Sequence, residues 1–117
     1  MTKEEFIARV HTYVVEDMAK QYREMYASTM PKGNQDPQMR RAFALYQSLN
    51  EEQRAVLLEI MGTVSVDALS TIFAVIDGST YFGDTGEEFE LKANPGNHII
   101  SGDLSDLLWA HIEDRSA

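Results

Sequence analysis

The feature that most constrains this fold is a long apolar segment between Asn50 and Asp77. Asn50 and Gln53 have the spacing of a capping box, which marks a helix start, and Asp77-Gly78 marks the end. At about 100° per residue, the aliphatic side chains between these limits cover most of the helix circumference. The narrow polar stripe that remains consists of Glu59, Thr63, Asp67, Ser70 and Asp77. A helix this apolar is usually central, so we expect the other elements to pack around it.

Two further helices precede the central one. Thr2 with Glu5 forms a capping box and predicts a helix, helix 1, that runs to about residue 27 with a wide apolar face. Asp36 followed by Pro37 predicts a second helix to about residue 48, because Asp is a favoured N-cap and Pro suits the first helical position.

A β-hairpin is predicted after the central helix. Phe89 and Leu91 alternate with charged residues, which is a period-2 strand pattern, and we expect Phe89 to be buried. Pro95-Gly96 occupies the central positions of a type II turn, and residues 98–100 form the returning strand. An isolated hairpin is marginal in water, so this one must pack on the helices.

The last helix is predicted to start at Asp103, capped together with Asp106, and to run to about residue 114. The fold class that follows is α+β, mainly α, with three to four helices and a small antiparallel β-hairpin near the C-terminus. A length of 117 residues suits a single domain over residues 1–117.

The absence of cysteine excludes disulfides, thiolate catalysis and cysteine-ligated zinc. Without a signal-peptide pattern, the chain is predicted to be cytoplasmic.

The formal charge of −9 is unevenly distributed. Residues 1–76 carry ten acidic and eight basic side chains, whereas residues 77–117 carry nine acidic and two basic ones. Such a surface repels phosphate backbones, so nucleic-acid binding is not expected. It would attract a basic protein, or it could serve only to keep the chain in solution.

Our leading hypothesis is therefore a non-enzymatic protein–protein interaction module of the immunity or antitoxin type that binds a basic partner. No motif specifies a nucleophile, a phosphate loop, a cofactor or a metal site, so none is predicted. The candidate binding residues combine carboxylates and aromatic rings of the acidic third. They are Tyr81, Asp84, Glu87, Glu88, Glu90, Asp103, Asp106 and Trp109.

Two alternatives stay open. The chain could be a small enzyme or ligand-binding protein with a pocket beside the central helix, on which Glu59, Asp67 or a histidine converges. It could also form a homodimer through the wide apolar face of helix 1. Membrane contact is not predicted, because the most apolar stretch, Val64 to Ile76, is too short to span a bilayer.

The three histidines and one loop are the other candidates for chemistry. His11, His98 and His111 could each serve as a base or a metal ligand, or be partly buried and bonded to a backbone carbonyl or a carboxylate. The loop from Asp77 to Glu88 matches a calcium-binding EF-hand only at its ends, so a solvated turn is the simpler interpretation.

Three stretches together resemble a group of small bacterial proteins of unknown function. They are Leu49-Asn-Glu-Glu-Gln-Arg-Ala-Val-Leu-Leu58, Ile76-Asp-Gly-Ser79 and Ile100-Ser-Gly-Asp-Leu-Ser-Asp-Leu-Leu108. The resemblance covers about residues 45–112 and implies a bacterial cytoplasmic origin, and it brings no catalytic residues.

Overall fold

The computed structural model describes residues 1–80 and 86–116, and this part of the chain is mainly helical with one two-stranded sheet near the C-terminus. The predicted fold class is confirmed. Three consecutive segments form helix 1, a continuous helical rod: α1 (Lys3–Val10), a π-helical segment (His11–Glu16) and α2 (Asp17–Ser28). The remaining elements are α3 (Pro37–Ser48), α4 (Glu51–Asp77), β1 (Lys92–Ala93), β2 (His98–Ile99) and α5 (Leu104–Ser116).

The predicted starts of the first three helices are confirmed by their capping bonds. The Thr2 hydroxyl accepts a hydrogen bond from the Glu5 N–H at 3.1 Å, and the Asp36 carboxylate caps α3. Asn50 and Gln53 form the full capping box, in which each side chain accepts from the backbone N–H of the other. These bonds satisfy N–H groups that have no partner within the helix itself.

Helix 1 contains an irregularity that the sequence pattern did not predict. Its π-helical segment spans six residues, and the N–H of Asp17 reaches back to the carbonyl of Thr12. Wider turns of this kind are rare and occur often at functional sites. This segment begins at His11, which is the buried polar residue of the described chain.

The hydrophobic core lies where α1, the C-terminal half of α4 and α5 meet. Ile7, Phe73, Leu104 and Leu108 form its centre, and the last two have no exposed surface. The ring of Phe6 packs edge-on against Phe73 at a centroid distance of 6.2 Å. Helix α5 therefore holds the start of helix 1 and the end of α4 together.

A second, smaller cluster joins the other ends of these helices through α3. Phe43 and Tyr46 are buried, and the Tyr26 ring of α2 lies 5.2 Å and 5.4 Å from their rings. The Arg54 guanidinium stacks over Tyr46 at 4.8 Å, and its Nε donates to the Tyr46 carbonyl at 2.9 Å. Arg54 thus links α3 to the first turns of α4.

The expectation that the other elements pack around the apolar face of α4 is wrong for the N-terminal half of this helix. Among its 27 residues only Phe73 and Val75 are buried, whereas Ile60 is 56% and Val64 62% exposed. The reason is geometric: α5 covers only the C-terminal half of α4, and α2 contacts it sparsely in the other half. Apolar periodicity predicts the helix but not whether a neighbour covers it.

The hairpin is shorter than predicted. β1 pairs antiparallel with β2, with Lys92 opposite Ile99 and Ala93 opposite His98, so each strand has only two residues. Phe89 precedes the ladder and is 40% exposed, so its predicted burial is wrong. In the turn, φ is positive at Gly96, as the second central residue of the predicted type II turn requires, and also at Asn97, which follows it.

The junction between α4 and α5 depends on Asp77. Its carboxylate accepts hydrogen bonds from the backbone N–H of Gly102 at 2.8 Å and of Ser105 at 2.9 Å. Asp103 was expected to cap α5, but its carboxylate instead accepts from the Lys3 ammonium at 3.1 Å. A residue 28 positions earlier in the chain thus supplies the cap of α5.

We expect Asp77→Ala to lower the free energy of unfolding by about 1–2 kcal/mol, because it removes the carboxylate that caps two backbone N–H groups at the start of α5. Asp67→Ala is the matched control on the exposed face of the same helix and should change stability by less than about 0.5 kcal/mol. Urea unfolding followed by circular dichroism measures both. Equal losses in the two variants would contradict this role of Asp77.

Candidate functional site

The structure places most of the predicted acidic residues on an exposed surface. Glu87, Glu88 and Glu90 lie on the exposed segment before β1, and Asp106 is exposed in the first turn of α5. We refer to these four residues as the acidic surface. Tyr81 and Asp84, which were predicted to belong to the same site, lie outside the described residues.

A polar cleft adjoins the acidic surface where α4 ends. It has a volume of about 530 Å³ and is lined by Asp77, Gly78, Glu88, Phe89 and Glu90. The Asp77 carboxylate is engaged with two backbone N–H groups, so the carboxylates that a ligand could reach here are those of Glu88 and Glu90. Together with the partly exposed Phe89 ring, they offer both charge and apolar contact.

Two other predicted site residues hold the fold together. Asp103 is half-buried and contacts Lys3 at 3.0 Å, and this carboxylate raises the pKa of the Lys3 ammonium above its ordinary value. The Trp109 indole N–H donates to the Ser70 hydroxyl at 2.8 Å, and that hydroxyl also bonds Ser105 at 2.8 Å. Both side chains join α5 to its neighbours, although Trp109 remains 39% exposed.

Apart from Glu59, the residues that line a second cavity were not predicted as site residues. This cavity is an apolar groove of about 660 Å³ between α2 and the N-terminal half of α4. Its walls include Met18 and Tyr22 on α2, and Leu58, Ile60 and Val64 on α4. We refer to it as the α2–α4 groove.

The α2–α4 groove lies beside the long helix, where the enzyme or ligand-binding alternative placed its pocket. Its charged lining residues in the described chain are Arg23 and Glu59. Asp67 and the histidines do not line it, so no pair of carboxylates or carboxylate–histidine pair converges there. The groove can bind an apolar surface, but it lacks the paired groups that acid–base catalysis needs.

The buried histidine belongs to a separate cluster at the π-helical segment. The His11 ring meets the His111 ring of α5 edge-on at 4.9 Å. The Glu16 carboxylate lies 3.0 Å from His11 Nδ1 without the alignment of a hydrogen bond, and it also contacts Arg115 at 3.3 Å. Burial lowers the pKa of His11, as do His111 and Arg115, while Glu16 opposes them. The two rings thus form part of the contact between helix 1 and α5.

Neither this cluster nor the described part of the loop from Asp77 to Glu88 indicates a metal site. Within residues 1–80 and 86–116, no three histidine or carboxylate side chains are arranged to hold an ion. Residues 81–85 of the loop from Asp77 to Glu88 lie outside the described chain, so its interpretation as a solvated turn stays a prediction.

The lining of the α2–α4 groove and the histidine cluster both depend on contacts between residues that are distant in the sequence. His11 and His111 stand 100 positions apart, and no spacing rule connects them. Ile60 and Val64 were assigned to the interior because their side chains are apolar. The wide apolar face predicted for helix 1 was the available signal, since it indicated more apolar surface than one small domain needs.

Helix α4 also meets the length and composition of a membrane-spanning helix. An 18-residue window has a mean hydropathy of 1.6, and little of that window is buried in the fold. The shorter stretch considered in the sequence, Val64 to Ile76, understated this property. Glu59 and Asp67 lie eight residues apart on the polar stripe of the same helix. If this helix spanned a bilayer, placing both carboxylates in the hydrocarbon region would be costly.

Comparisons of this chain with protein-family models, with curated proteins and with solved structures find no match. The resemblance to small bacterial proteins of unknown function therefore stays a prediction.

The lowered pKa of His11 predicts a pH dependence of stability. The unfolded histidine keeps its ordinary value near 6.5, so below that pH the unfolded chain binds more protons than the folded one. The contribution of His11 to the free energy of unfolding is fully present above pH 6.5. It is lost as the pH drops toward the lower pKa that His11 has in the folded state.

His11→Phe should make urea unfolding less sensitive to pH between pH 7.5 and pH 5.5 than in the wild type, because a ring without a titratable nitrogen remains. The control is His98→Phe on the exposed hairpin, which should leave the wild-type slope unchanged. A wild-type slope retained in His11→Phe would show that His11 does not titrate as described.

Proposed function

We propose that this protein is a non-enzymatic protein–protein interaction module that binds a basic partner through its acidic surface. The observation that carries the proposal is the balance of charge around that surface. Residues 77–117 carry nine acidic and two basic side chains, and both basic side chains already contact a carboxylate.

The two ion contacts leave a strong excess of negative charge. Lys92 lies 3.9 Å from Glu90, and Arg115 lies 3.3 Å from Glu16 of helix 1. Glu87, Glu88 and Asp106 are exposed, and no ion pair within the described residues neutralises them. A field of this kind accelerates the encounter with a positively charged protein and selects against an acidic one.

The cleft beside the acidic surface supports a specific contact in addition to long-range attraction. A lysine or arginine side chain can place its charge between Glu88 and Glu90 and its aliphatic part against Phe89. Aromatic and charged groups in one recess are typical of the residues that dominate binding energy at interfaces. This combination of charge and apolar contact supports an immunity- or antitoxin-like role, in which the protein binds a basic partner.

The alternative, a small enzyme or ligand-binding protein, draws on the size of the α2–α4 groove, which is in the range of ligand pockets. The groove lacks the paired polar groups that catalysis needs, because Glu59 is the one carboxylate among its described lining residues. We therefore prefer the interaction module.

A fluorescently labelled decalysine peptide tests the proposal. Wild-type protein should bind it at low salt and lose affinity as salt is raised, because exposed charges are screened over a Debye length. The combined variant Glu87→Gln, Glu88→Gln and Glu90→Gln should bind about tenfold more weakly, since each exposed contact contributes a few tenths of a kcal/mol or more.

The matched control removes the same number of exposed carboxylates from helix 1 and α4. It combines Asp17→Asn, Glu24→Gln and Glu52→Gln, and it should bind the peptide like the wild type. Equal weakening in both variants would indicate only a general charge effect and would contradict a defined binding surface.

A further inference from the structure

The α2–α4 groove is an apolar surface that other described elements leave open. Met18 and Tyr22 on α2 are 42% and 41% exposed, and Ile60 and Val64 on α4 are more than half exposed. Each pair is spaced four residues apart, so each helix presents a ridge along one side of the groove. Contiguous exposed apolar surface of this kind marks an interaction site.

We infer that this groove is the interface of a homodimer, in which each copy covers the groove of the other. This inference concerns a different surface from the acidic one and does not depend on the proposed function.

The accessible surface area of the monomer is larger than that of a compact protein of the same mass, which favours a partner of substantial size. Its accessible surface is 8138 Å², whereas a compact protein of 13.2 kDa exposes about 6,400 Å², an excess of about 1,700 Å². The radius of gyration is 17.8 Å, against about 13 Å for a compact domain of 117 residues. Two copies that each buried this excess would form an interface of about 3,400 Å², which is within the range of stable homodimers.

The charge distribution favours a second copy over the basic partner. The groove lies in the part of the chain, residues 1–76, that has ten acidic and eight basic side chains. The acidic excess belongs to residues 77–117, and none of the described residues in that range (77–80 and 86–116) lines the groove. Two copies can therefore meet here without opposing their strongest charges.

The charged lining residues are also self-complementary. Arg23 stands on the α2 wall and Glu59 on the α4 wall, and neither takes part in an ion pair within the described residues. In a two-fold interface a contact between two different residues occurs twice, with the roles of the subunits exchanged. Arg23 of one copy would meet the partner's Glu59, and this pairing would form at both ends of the interface.

Sedimentation velocity of the full chain between about 1 and 100 µM tests the inference, with circular dichroism to check that each variant is folded. Wild-type protein should sediment with twice the monomer mass of 13.2 kDa. Ile60→Asp should weaken dimerisation about 100-fold or more, because it buries an unpaired carboxylate at two symmetric positions. Leu45→Asp is the matched control: Leu45 is 53% exposed on α3, outside the groove, and this variant should remain dimeric.

Charge-reversal variants provide a second test, which does not require that Ile60→Asp folds. Arg23→Glu and Glu59→Arg should each weaken the dimer, because each places like charges across the interface. The double variant Arg23→Glu/Glu59→Arg should restore it. A cross-subunit pair predicts this recovery, and a merely structural role of either residue does not.

Three results would overturn the inference. One is a wild-type chain that is monomeric up to about 100 µM, a concentration at which micromolar dimers are fully formed. Another is a dimer that survives Ile60→Asp in folded form and is not weakened by either charge reversal. The third is a monomer that cosediments with phosphatidylcholine vesicles through α4, which would make the groove a lipid-binding surface.

Discussion

The packing of Leu104 and Leu108 against Ile7 and Phe73 is the contact on which the rest of the structure depends. Both leucines are completely buried, and their helix is the element that joins α1 to the end of α4. Full burial of a leucine contributes about 1.5–3 kcal/mol, a large share of a stability that rarely exceeds 15 kcal/mol. The Asp77 cap orients α5 for this contact.

This arrangement concentrates the stability at one end of the molecule. At that end, α5 adds the His11–His111 contact and the bond from Trp109 to Ser70. At the other end, the α3 cluster around Tyr46 holds the tips of helix 1 and α4 together but leaves the groove between them uncovered. In the described chain, α5 covers one half of the 27-residue α4, whereas Ile60 and Val64 in the other half stay more than half exposed. The exposed half is therefore where a partner adds most stability.

The sequence predicted the features that depend on neighbouring residues. The caps at Thr2, Asp36 and Asn50 are confirmed because each involves groups at most three positions apart. Features made by distant residues were missed or misassigned, such as the Asp77 cap on α5 and the exposure of Ile60. The candidate site follows the same division: the unequal charge is visible in the sequence, whereas the cleft at Phe89 and the α2–α4 groove exist only once the helices are placed.

The central claim is that a second copy of the chain covers the exposed N-terminal half of α4, so that folding and association are linked. The most direct test is the urea midpoint of the wild-type protein measured across a hundredfold range of protein concentration. If association stabilises the folded state, the midpoint rises with concentration, as mass action requires. A midpoint that is the same at every concentration would show that the chain folds as a complete monomer, and it would contradict this account.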